Sequence, residues 1–351
     1  MTTAPLDALV LDADLTLRVE PFPVDEELSP TDVRIEPRVV GVCGSDLHYV
    51  DHGSIGPFVV REPMVLGHEA AGVVVETGTD VTGLAVGDRV CMEPGIPSGW
   101  SKATLLGRYN LDPAVRFWAT PPVHGVIRPS VVHPAAFTFK LPDNVSLEEG
   151  AFVEPLAVAV HSVDKAALRV ADTAVVIGAG TIGMLITRVA LAAGARQVIV
   201  ADIDVAKLDV VAGFDDRVTV VDSATGSIAD VAAASTDGWG AEAVFEASGS
   251  ATAAGGVFGP LCPGGSVVFV GMPPAPIAYD VAAGQVKEAV VQHVFRYANV
   301  YPRAIQMLAS GAVEVADLIT HRFTLADSAK AFDAMRDPAA RVIKAQIILD
   351  A

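Results

Sequence analysis

The amino-acid sequence predicts an α/β protein built from a β-rich domain and a doubly wound parallel sheet. Its 351 residues are enough for two domains of roughly 150 residues each. Hydrophobic residues make up 51% of the chain and charged residues 19%, which is typical of a globular protein. The first 145 residues read as short β-rich pieces between Gly and Pro, whereas apolar strands and helices alternate from Thr173 onwards.

The first part of the chain is predicted to be rich in strands, followed by one helix. Apolar or alternating segments predict strands at residues 8–12, 33–42, 71–78, 88–93 and 136–142, without a long helical period among them. Ser146 and Glu149 then form a capping box that opens a helix. This helix extends past Pro155 toward Ala167, and a proline within it predicts a kink or a break.

The second part is predicted to alternate strands and helices. AVVIGAG, QVIVADI, AEAVFEASG and GGSVVFVG supply the strands, and helices begin near Ile182 and Val205. The last 55 residues hold two helical patterns and a β-like end, RVIKAQIIL, which we assign to the first domain. The predicted domains are therefore 1–156 with 296–351, and 157–295.

The charge balance excludes nucleic acid as a partner. The chain has 24 Lys and Arg against 42 Asp and Glu, a net charge of −18, and no basic cluster exceeds two residues. Such a chain repels a polyanion.

Cysteine content and hydropathy set the expected compartment and assembly. Cys43, Cys91 and Cys262 are too few and too scattered for a disulfide framework, and the start of the sequence does not resemble a signal peptide, so we expect a cytoplasmic protein. The longest uncharged stretch, 247–279, is broken by Gly and Pro and does not predict a membrane span. A mean hydropathy of +0.45 favours a homo-oligomer.

A glycine-rich loop predicts a dinucleotide site. Gly178, Gly180 and Gly183, with Thr181 and Ile182 between the last two, follow an apolar strand and open a helix. The glycines permit a tight turn, close approach of the backbone to a pyrophosphate, and close packing of helix on strand. By itself this motif also fits a turn that binds nothing.

An acidic residue strengthens the dinucleotide interpretation. Asp202 ends the next strand, 19 residues after Gly183, where a carboxylate can accept hydrogen bonds from both ribose hydroxyls. A carboxylate there also repels a 2′-phosphate, so NAD is favoured over NADP. Lys207 lies nearby and is either a second contact to the coenzyme or a solvated helix residue.

A thiolate, an imidazole and a carboxylate predict a metal site. Cys43, His68 and Glu69 lie in the β-rich part, and three protein ligands with an open fourth position describe a catalytic zinc. A buried cysteine and a surface His-Glu pair would give the same spacing without a metal. Glu154, in an apolar segment, needs a partner such as a metal, its water or an arginine, unless it is a solvated helix terminus.

These motifs together resemble the zinc-dependent medium-chain dehydrogenases over nearly the whole chain. GHEAAG followed by VVVETG and GDRV resembles the zinc-site signature of that family, and VVIGAGTIG resembles its coenzyme loop. Within the family the chain is similar to the polyol branch, the sorbitol and xylitol dehydrogenases, and above all to bacterial NAD-dependent members, through segments such as GRYNLDPAVRFWATPP and VFRYANVYPRAI. The resemblance implies a GroES-like catalytic domain and a Rossmann coenzyme domain.

The resemblance also implies roles for individual residues. Cys43, His68 and Glu69 would hold zinc, with Glu154 reaching the metal or its water, and Asp46 would orient His68. Ser45 and Tyr49 would line the substrate pocket, which Arg296 and Tyr297 would enter from the segment between the domains. His48 and His52 are expected at the surface or the pocket rim.

One departure from the family concerns a second zinc. Many members hold a structural zinc with four cysteines in the lobe that corresponds to residues 94–130, yet no cysteine lies between Cys91 and Cys262. We therefore expect one catalytic zinc per chain and a lobe held by packing, with Phe117, Trp118 and Pro121-Pro122 as apolar material.

The expected activity is the NAD-dependent oxidation of a polyol to a ketose, above all of xylitol to D-xylulose. Sorbitol, L-arabinitol, L-idonate and L-threonine are alternative substrates on the same fold. A dinucleotide-binding sensor without catalysis is the alternative of a different class, although such a protein has no need of an open metal site. The family resemblance suggests a homotetramer.

Overall fold

A computed structural model describes residues 7–273 and 275–349. Residues 1–6, part of the segment that does not resemble a signal peptide, lie outside the described residues. The chain divides into two compact units, Met1–Glu154 with Tyr301–Ala351, and Pro155–Val300. Both divisions fall a few residues from the domain boundaries expected at 156/157 and 295/296.

The first unit is rich in short strands. Its elements up to the first division are β1 (Asp7–Leu11), β2 (Leu17–Pro21), β3 (Asp32–Gly41), α1 (Gly44–His52), β4 (Ser54–Ile55), β5 (Phe58–Val59), β6 (Met64–Val65), β7 (Glu69–Thr77), β8 (Arg89–Met92), β9 (Gly95–Ile96), α2 (Lys102–Leu105), β10 (Arg116–Phe117), β11 (Val131–Pro134), β12 (Thr138–Lys140), α3 (Leu147–Ala151) and the start of α4 (Val153–Ala166).

The second unit alternates strands and helices. Its elements are the rest of α4, then β13 (Thr173–Ile177), α5 (Thr181–Ala192), β14 (Gln197–Asp202), α6 (Val205–Ala212), β15 (Val218–Asp222), α7 (Ile228–Ser235), β16 (Ala241–Glu246), α8 (Ala251–Gly255), β17 (Leu261–Phe269), α9 (Val281–Val286) and β18 (Val290–His293). The chain then returns to the first unit with α10 (Tyr301–Ala309), β19 (Ile319–Thr324), α11 (Ser328–Arg336) and β20 (Lys344–Ile348).

The main sheet of the first unit brings distant parts of the sequence together. Its strand order is β12-β8-β7-β3-β20-β19, and β11 also pairs with β3. β3 is antiparallel to β7, with Gly41 opposite Glu69, and antiparallel to β20, with Gln346 opposite Gly41. In this sheet the C-terminal strand β20 is therefore separated from β7 by β3 alone.

The second unit is a six-stranded parallel sheet of order β15-β14-β13-β16-β17-β18. Strands β13 and β14 are buried along most of their length, as expected for a parallel sheet covered on both faces. The strand order reverses between β13 and β16, and in sheets of this type ligands bind beside the carboxyl ends of the strands at that point.

The predicted helix after Ser146 is split into α3 and α4. Ser146 Oγ accepts a hydrogen bond from the Glu149 backbone N–H, and the Glu149 carboxylate accepts one from the Ser146 N–H, so the capping box forms as predicted. The break falls at Phe152, before Pro155. Pro155 lies in the first turn of α4, where its missing N–H leaves no helical hydrogen bond unmade.

Other boundaries differ slightly from the predicted ones. The segment 136–142 forms a strand only at Thr138–Lys140, because Ala135–Phe137 makes a 3-10 turn. The nine-residue α1 lies in a stretch where only strands were predicted. Within residues 7–273 and 275–349, no helix is both long and apolar enough to cross a membrane.

Candidate active site

Cys43, His68 and Glu69 come together where β3 ends and β7 begins, at one end of two central strands of the main sheet. Cys43 caps the N-terminus of α1, His68 precedes β7, and Glu69 begins it. One ligand atom from each of the three residues lies within 4.8 Å of the other two. Within residues 7–273 and 275–349, no other set of three His, Cys, Asp or Glu residues meets this condition. His68 and Glu69 are buried and Cys43 is partly exposed.

Asp46 ties the two ligand segments together. Its Oδ2 accepts a hydrogen bond from the Cys43 N–H at 3.0 Å, and its Oδ1 accepts one from the Gly67 N–H at 3.4 Å. Asp46 Oδ1 also lies 3.5 Å from His68 Nδ1. A carboxylate on Nδ1 fixes the ring and leaves Nε2 to a metal ion, which is the arrangement expected of a histidine ligand.

The electrostatics of this cluster favour a cation. Burial by itself lowers the pKa of His68, but the charges and hydrogen bonds of Asp46 and Cys43 outweigh burial and raise it well above its ordinary value. The surroundings thus favour positive charge at the imidazole, whether as a proton or as a bound metal ion. Thiolate, imidazole and carboxylate are the donors that zinc takes in proteins, so the residues fit a zinc ion.

Glu154 lies near the cluster without belonging to it. It is the second residue of α4 and is 6% exposed. Burial raises the pKa of Glu93 to about 7, and the negative charge of Glu154 adds to this rise. A hydrogen bond from the Tyr109 hydroxyl, at 2.7 Å, acts in the opposite direction and lowers the pKa. Glu93 and Glu154 are therefore two buried carboxyl groups close enough to interact.

The predicted substrate residues belong to both units. Ser45 and Tyr49 lie on α1, with Ser45 half-buried and Tyr49 buried. Arg296 and Tyr297 belong to the second unit, where the Arg296 guanidinium lies 4.8 Å from the centre of the Phe295 ring and Tyr297 is buried. The structure leaves their predicted contacts with substrate untested.

Neighbouring histidines and the remaining cysteines lie outside the cluster. His48 is half-buried and His52 is exposed, with their rings 5.5 Å apart. Cys91 and Cys262 are buried, and burial raises the pKa of both thiols.

The glycine loop joins β13 to α5 in the second unit. Gly178 has φ = +103°, and a Cβ there would lie 2.8 Å from the Ser248 backbone nitrogen. A Cβ at Gly183 would overlap the Gly178 carbonyl oxygen, whereas a Cβ at Gly180 would meet nothing within 4 Å. Gly178 and Gly183 thus permit the turn, and Gly180 leaves open space at the N-terminus of α5 beside Thr181 and Ile182, as a pyrophosphate requires.

Asp202 lies at the carboxyl end of β14 and contacts the glycine loop. Its Oδ2 accepts a hydrogen bond from the Ala179 N–H at 2.6 Å, and its Oδ1 accepts one from the Asp204 N–H at 2.9 Å. Lys207 lies 3.6 Å from the Asp204 carboxylate as a half-exposed surface pair. This contact favours the interpretation of Lys207 as a solvated helix residue.

Comparisons with known proteins agree with this architecture. The alcohol dehydrogenase GroES-like domain matches residues 29–143, and the zinc-binding dehydrogenase domain matches residues 181–310. The chain belongs to the zinc-dependent medium-chain dehydrogenases. It is therefore an oxidoreductase, and the predicted pair of a GroES-like and a Rossmann domain is confirmed.

Individual relatives of this dehydrogenase cover almost its full length. A protein of Agrobacterium fabrum named "Putative D-xylulose reductase" is 50% identical over 349 residues, 98% of this chain and 99% of that protein. The D-xylulose reductase of Morganella morganii is 47% identical over 95% of this chain and 98% of its own. A crystal structure titled "putative zinc-binding dehydrogenase" from Sinorhizobium meliloti 1021, bound to NADP, is 28% identical with a TM-score of 0.87, covering 99% and 100% of the two chains.

Sequence reasoning missed a polar cluster within residues 94–130 of this dehydrogenase. The buried Asp112 carboxylate accepts hydrogen bonds from the Ser98 N–H and hydroxyl, the Thr104 hydroxyl and the Ala114 N–H, at 2.7–3.0 Å. Phe117 and Trp118 are buried as expected, but Pro122 is exposed. Hydrogen bonding therefore organises the lobe together with packing.

Two further residues missed in the sequence are Glu246 and Lys344. Glu246 ends β16 fully buried, and its Oε1 accepts hydrogen bonds from the backbone N–H groups of Ser248 at 2.9 Å and Gly249 at 3.0 Å. This loop is the one that packs against Gly178. Lys344 contacts Glu69 and is considered below. An acid at the end of an apolar strand was the available signal for Glu246, whereas nothing in the local sequence pointed to Lys344.

Proposed function

We propose that this chain oxidises a secondary hydroxyl of a polyol to a ketone with NAD, and that xylitol, giving D-xylulose, is its preferred substrate. The supporting observation is the Cys43, His68 and Glu69 cluster in a chain 47% identical to a D-xylulose reductase. In the reaction the alcohol loses a hydride to NAD⁺ and a proton to solvent, giving the ketone, NADH and H⁺.

The first unit supplies the metal ligands. Cys43, His68 and Glu69 hold zinc, and Asp46 keeps the His68 ring in place through Nδ1. A zinc ion held there supplies a Lewis acid that lowers the pKa of the substrate hydroxyl, and NAD supplies the hydride acceptor.

Ser45 and Glu154 are proposed to move the proton. The Ser45 hydroxyl can accept and donate in turn because it is small and half-buried on α1. Glu154 is a buried carboxylate that can take a proton directly or through water. Ser45 lies on α1, which begins directly after the ligand Cys43, and the charge of Glu154 acts on Lys344, which contacts Glu69.

Polar side chains are proposed to select a polyol over a simple alcohol. Tyr49, Arg296 and Tyr297 would hydrogen-bond several hydroxyls of one substrate. A site built in this way rejects a substrate that lacks those hydroxyls, because its polar groups would be left unpaired. Ethanol is therefore expected to be a poor substrate.

The second domain, predicted as residues 157–295, is proposed to bind NAD. Gly178, Gly180, Thr181, Ile182 and Gly183 would receive the pyrophosphate at the N-terminus of α5. Asp202 would accept hydrogen bonds from the ribose hydroxyls and disfavour a 2′-phosphate. We propose NAD as the coenzyme on this basis, although one relative of known structure is bound to NADP.

The remaining proposals concern metal content and assembly. We propose one zinc per chain, since no cysteine lies between Cys91 and Cys262 to hold a second one, and hydrogen bonds to Asp112 connect the segments around residues 98–114. A homotetramer stays a prediction from hydropathy and family resemblance, and a cytoplasmic location stays a prediction from the sequence.

The proposal is tested by measuring NADH formation with xylitol, sorbitol, L-arabinitol, L-idonate, L-threonine and ethanol, alongside zinc content. We expect turnover led by xylitol, lost after chelation and restored by zinc. Cys43→Ser should reduce bound zinc and lower kcat by a factor of about 100 or more, because one of three ligands is replaced by a weaker donor.

Cys262→Ser is the matched control, since it removes a buried thiol of the second unit, and it should keep both zinc and activity. Zinc-dependent turnover led by another substrate would replace only the substrate assignment. Protein that binds NAD but oxidises none of these alcohols would overturn the enzyme proposal in favour of a sensor.

A further inference from the structure

A buried lysine from the end of the chain contacts the predicted metal ligand Glu69. Lys344 is the first residue of β20 and is 4% exposed. Its Nζ donates a hydrogen bond to Glu69 Oε1 at 2.6 Å and one to the Val42 carbonyl oxygen at 3.2 Å. One ammonium group therefore contacts a ligand carboxylate and the residue directly before the ligand Cys43.

Negative charge close to Lys344 compensates the burial of its ammonium group. A buried ammonium needs a partner of opposite charge, and the Glu69 carboxylate is the partner that contacts it. Lys344 therefore lies directly beside a group that would hold the metal. The Phe152 ring, 5.8 Å from Nζ, covers another side of it.

The two oxygens of the Glu69 carboxylate have different surroundings. Oε1 accepts the hydrogen bond from Lys344. Oε2 also contacts the same ammonium, as an ion pair without hydrogen-bond geometry, and it is buried. One lysine therefore contacts both oxygens of the carboxylate, and this restricts the orientation of Glu69.

The neighbouring strand leaves room for this arrangement. Gly41 lies opposite Glu69 in the β3–β7 pairing, and a Cβ at position 41 would overlap Glu69 Oε2 and lie 3.1 Å from Lys344 Cε. The carboxylate and the lysine stem therefore pack directly against the backbone of β3. Few other orientations are open to Glu69 in this space.

We propose that Lys344 is a positioning residue for zinc, which holds the Glu69 carboxylate in the orientation that a metal ion between Cys43, His68 and Glu69 requires. Its contact with Val42 also secures the segment that carries Cys43. This inference rests on the proposed zinc site and adds a residue 275 positions away from Glu69 in the sequence. Partners of this kind, hydrogen-bonded to a ligand, typically contribute 10–100-fold to metal affinity.

The test measures zinc affinity by competition with a chelator in the full-length protein as purified. Lys344→Met keeps the length of the side chain without its charge, and we expect it to weaken zinc binding by about 10-fold or more. Lys344→Arg restores a cationic donor and should recover part of this loss. Lys330→Met, which removes an exposed lysine of α11 in the same unit, is the matched control and should bind zinc as the unchanged protein does.

A second pair of variants keeps the test decisive if Lys344→Met does not fold. Glu69→Gln/Lys344→Met leaves no unpaired buried charge at this pair of positions, and it is compared with Glu69→Gln alone. If Lys344 acts through Glu69, the double variant should bind zinc about as well as Glu69→Gln alone. A further loss of about 10-fold in the double variant would show that Lys344 acts elsewhere and would overturn the inference.

The outcomes separate this inference from the proposed function. Suppose that the unchanged protein binds zinc and that the zinc affinity of Lys344→Met is within about threefold of its affinity. The positioning role is then wrong and the zinc site stands. If the unchanged protein binds no zinc, both are wrong. Weaker zinc binding in Lys344→Met with a far-ultraviolet circular dichroism spectrum like that of the control supports positioning, since a merely structural ion pair would change stability and not metal affinity.

Discussion

At the scale of single residues, Asp202 joins the coenzyme loop to the strand beside it. Its carboxylate accepts hydrogen bonds from the N–H groups of Ala179 and Asp204, one on each oxygen. Each carboxylate oxygen can accept more than one hydrogen bond, so the same group can still serve a ribose. Asp202 thus shapes the loop between Gly178 and Gly180 and presents a negative charge next to it.

Asp202→Asn is expected to change the choice of coenzyme. The amide keeps the shape and one acceptor but loses the charge that repels a 2′-phosphate, so the ratio of kcat/KM with NAD to kcat/KM with NADP should fall by about 10-fold or more, or roughly 1.4 kcal/mol per factor of ten. Steady-state kinetics with both coenzymes measure this ratio. Asp209→Asn, an exposed residue of α6, is the control, and an unchanged ratio in Asp202→Asn would contradict the assignment.

At the scale of elements, a carboxylate organises the lobe between β9 and β10. Asp112 binds Ser98, Thr104 and Ala114, which come from the loop after β9, from α2 and from the turn after Asp112 itself. The backbone N–H of Ala114, and then Ser98 and Thr104, hold the pKa of Asp112 below its ordinary value of 3.8, although burial opposes this. A lowered carboxyl pKa means that this stabilisation is present above about pH 4 and is lost in stronger acid.

Asp112→Ala should loosen this lobe before the rest of the first unit. The substitution leaves several donors without an acceptor, so we expect a melting temperature lower by a few degrees and faster proteolysis within residues 98–114. Thermal melting and mapping of the first cleavage sites measure both. Asp143→Ala, at an exposed position of the same unit, should melt and be cleaved as the unchanged protein is. Cleavage that begins elsewhere would show that Asp112 does not hold the lobe.

At the scale of the whole molecule, buried ionisable groups make stability depend on pH. His133 is buried, with Nδ1 3.0 Å from Thr138 Oγ1 and Nε2 3.1 Å from the Glu93 carbonyl oxygen, and its ring lies 4.5 Å from that of Trp118. Burial lowers the pKa of His133 to about 3. The folded protein therefore keeps this ring neutral at pH values where the unfolded chain, with an ordinary pKa near 6.5, binds a proton.

His133→Gln should flatten the loss of stability in acid. Because the unfolded state binds the proton first, the contribution of His133 is complete above about pH 6.5 and declines as the pH falls toward 3, by on the order of a few kcal/mol. Urea unfolding at pH 7 and at pH 4.5 measures this, and the difference between the variant and the unchanged protein should shrink at the lower pH. His321→Gln, half-exposed, is the control; a difference that stays constant with pH would contradict the assignment.

Several features of the molecule could be predicted from local sequence because their physics is local. The capping box of Ser146 and Glu149 needs only residues three apart, and it forms. The Gly178 to Gly183 turn depends on backbone conformations that glycine permits, and it lies between β13 and α5 as predicted. The ends of elements were less predictable, as Phe152 shows, because packing decides where a helix breaks.

Residue type and spacing were enough to predict an α/β fold, the glycine loop and Cys43, His68 and Glu69 as candidate ligands. The groups that surround them depend on the packing of distant segments, which local sequence does not reveal. The pairing of β3 with both β7 and β20 brings Lys344 to Glu69, and the turns after β9 bring Ser98 and Thr104 to Asp112. A buried charge takes its partner from whichever strand the sheet places beside it, and strand order is a property of the whole fold.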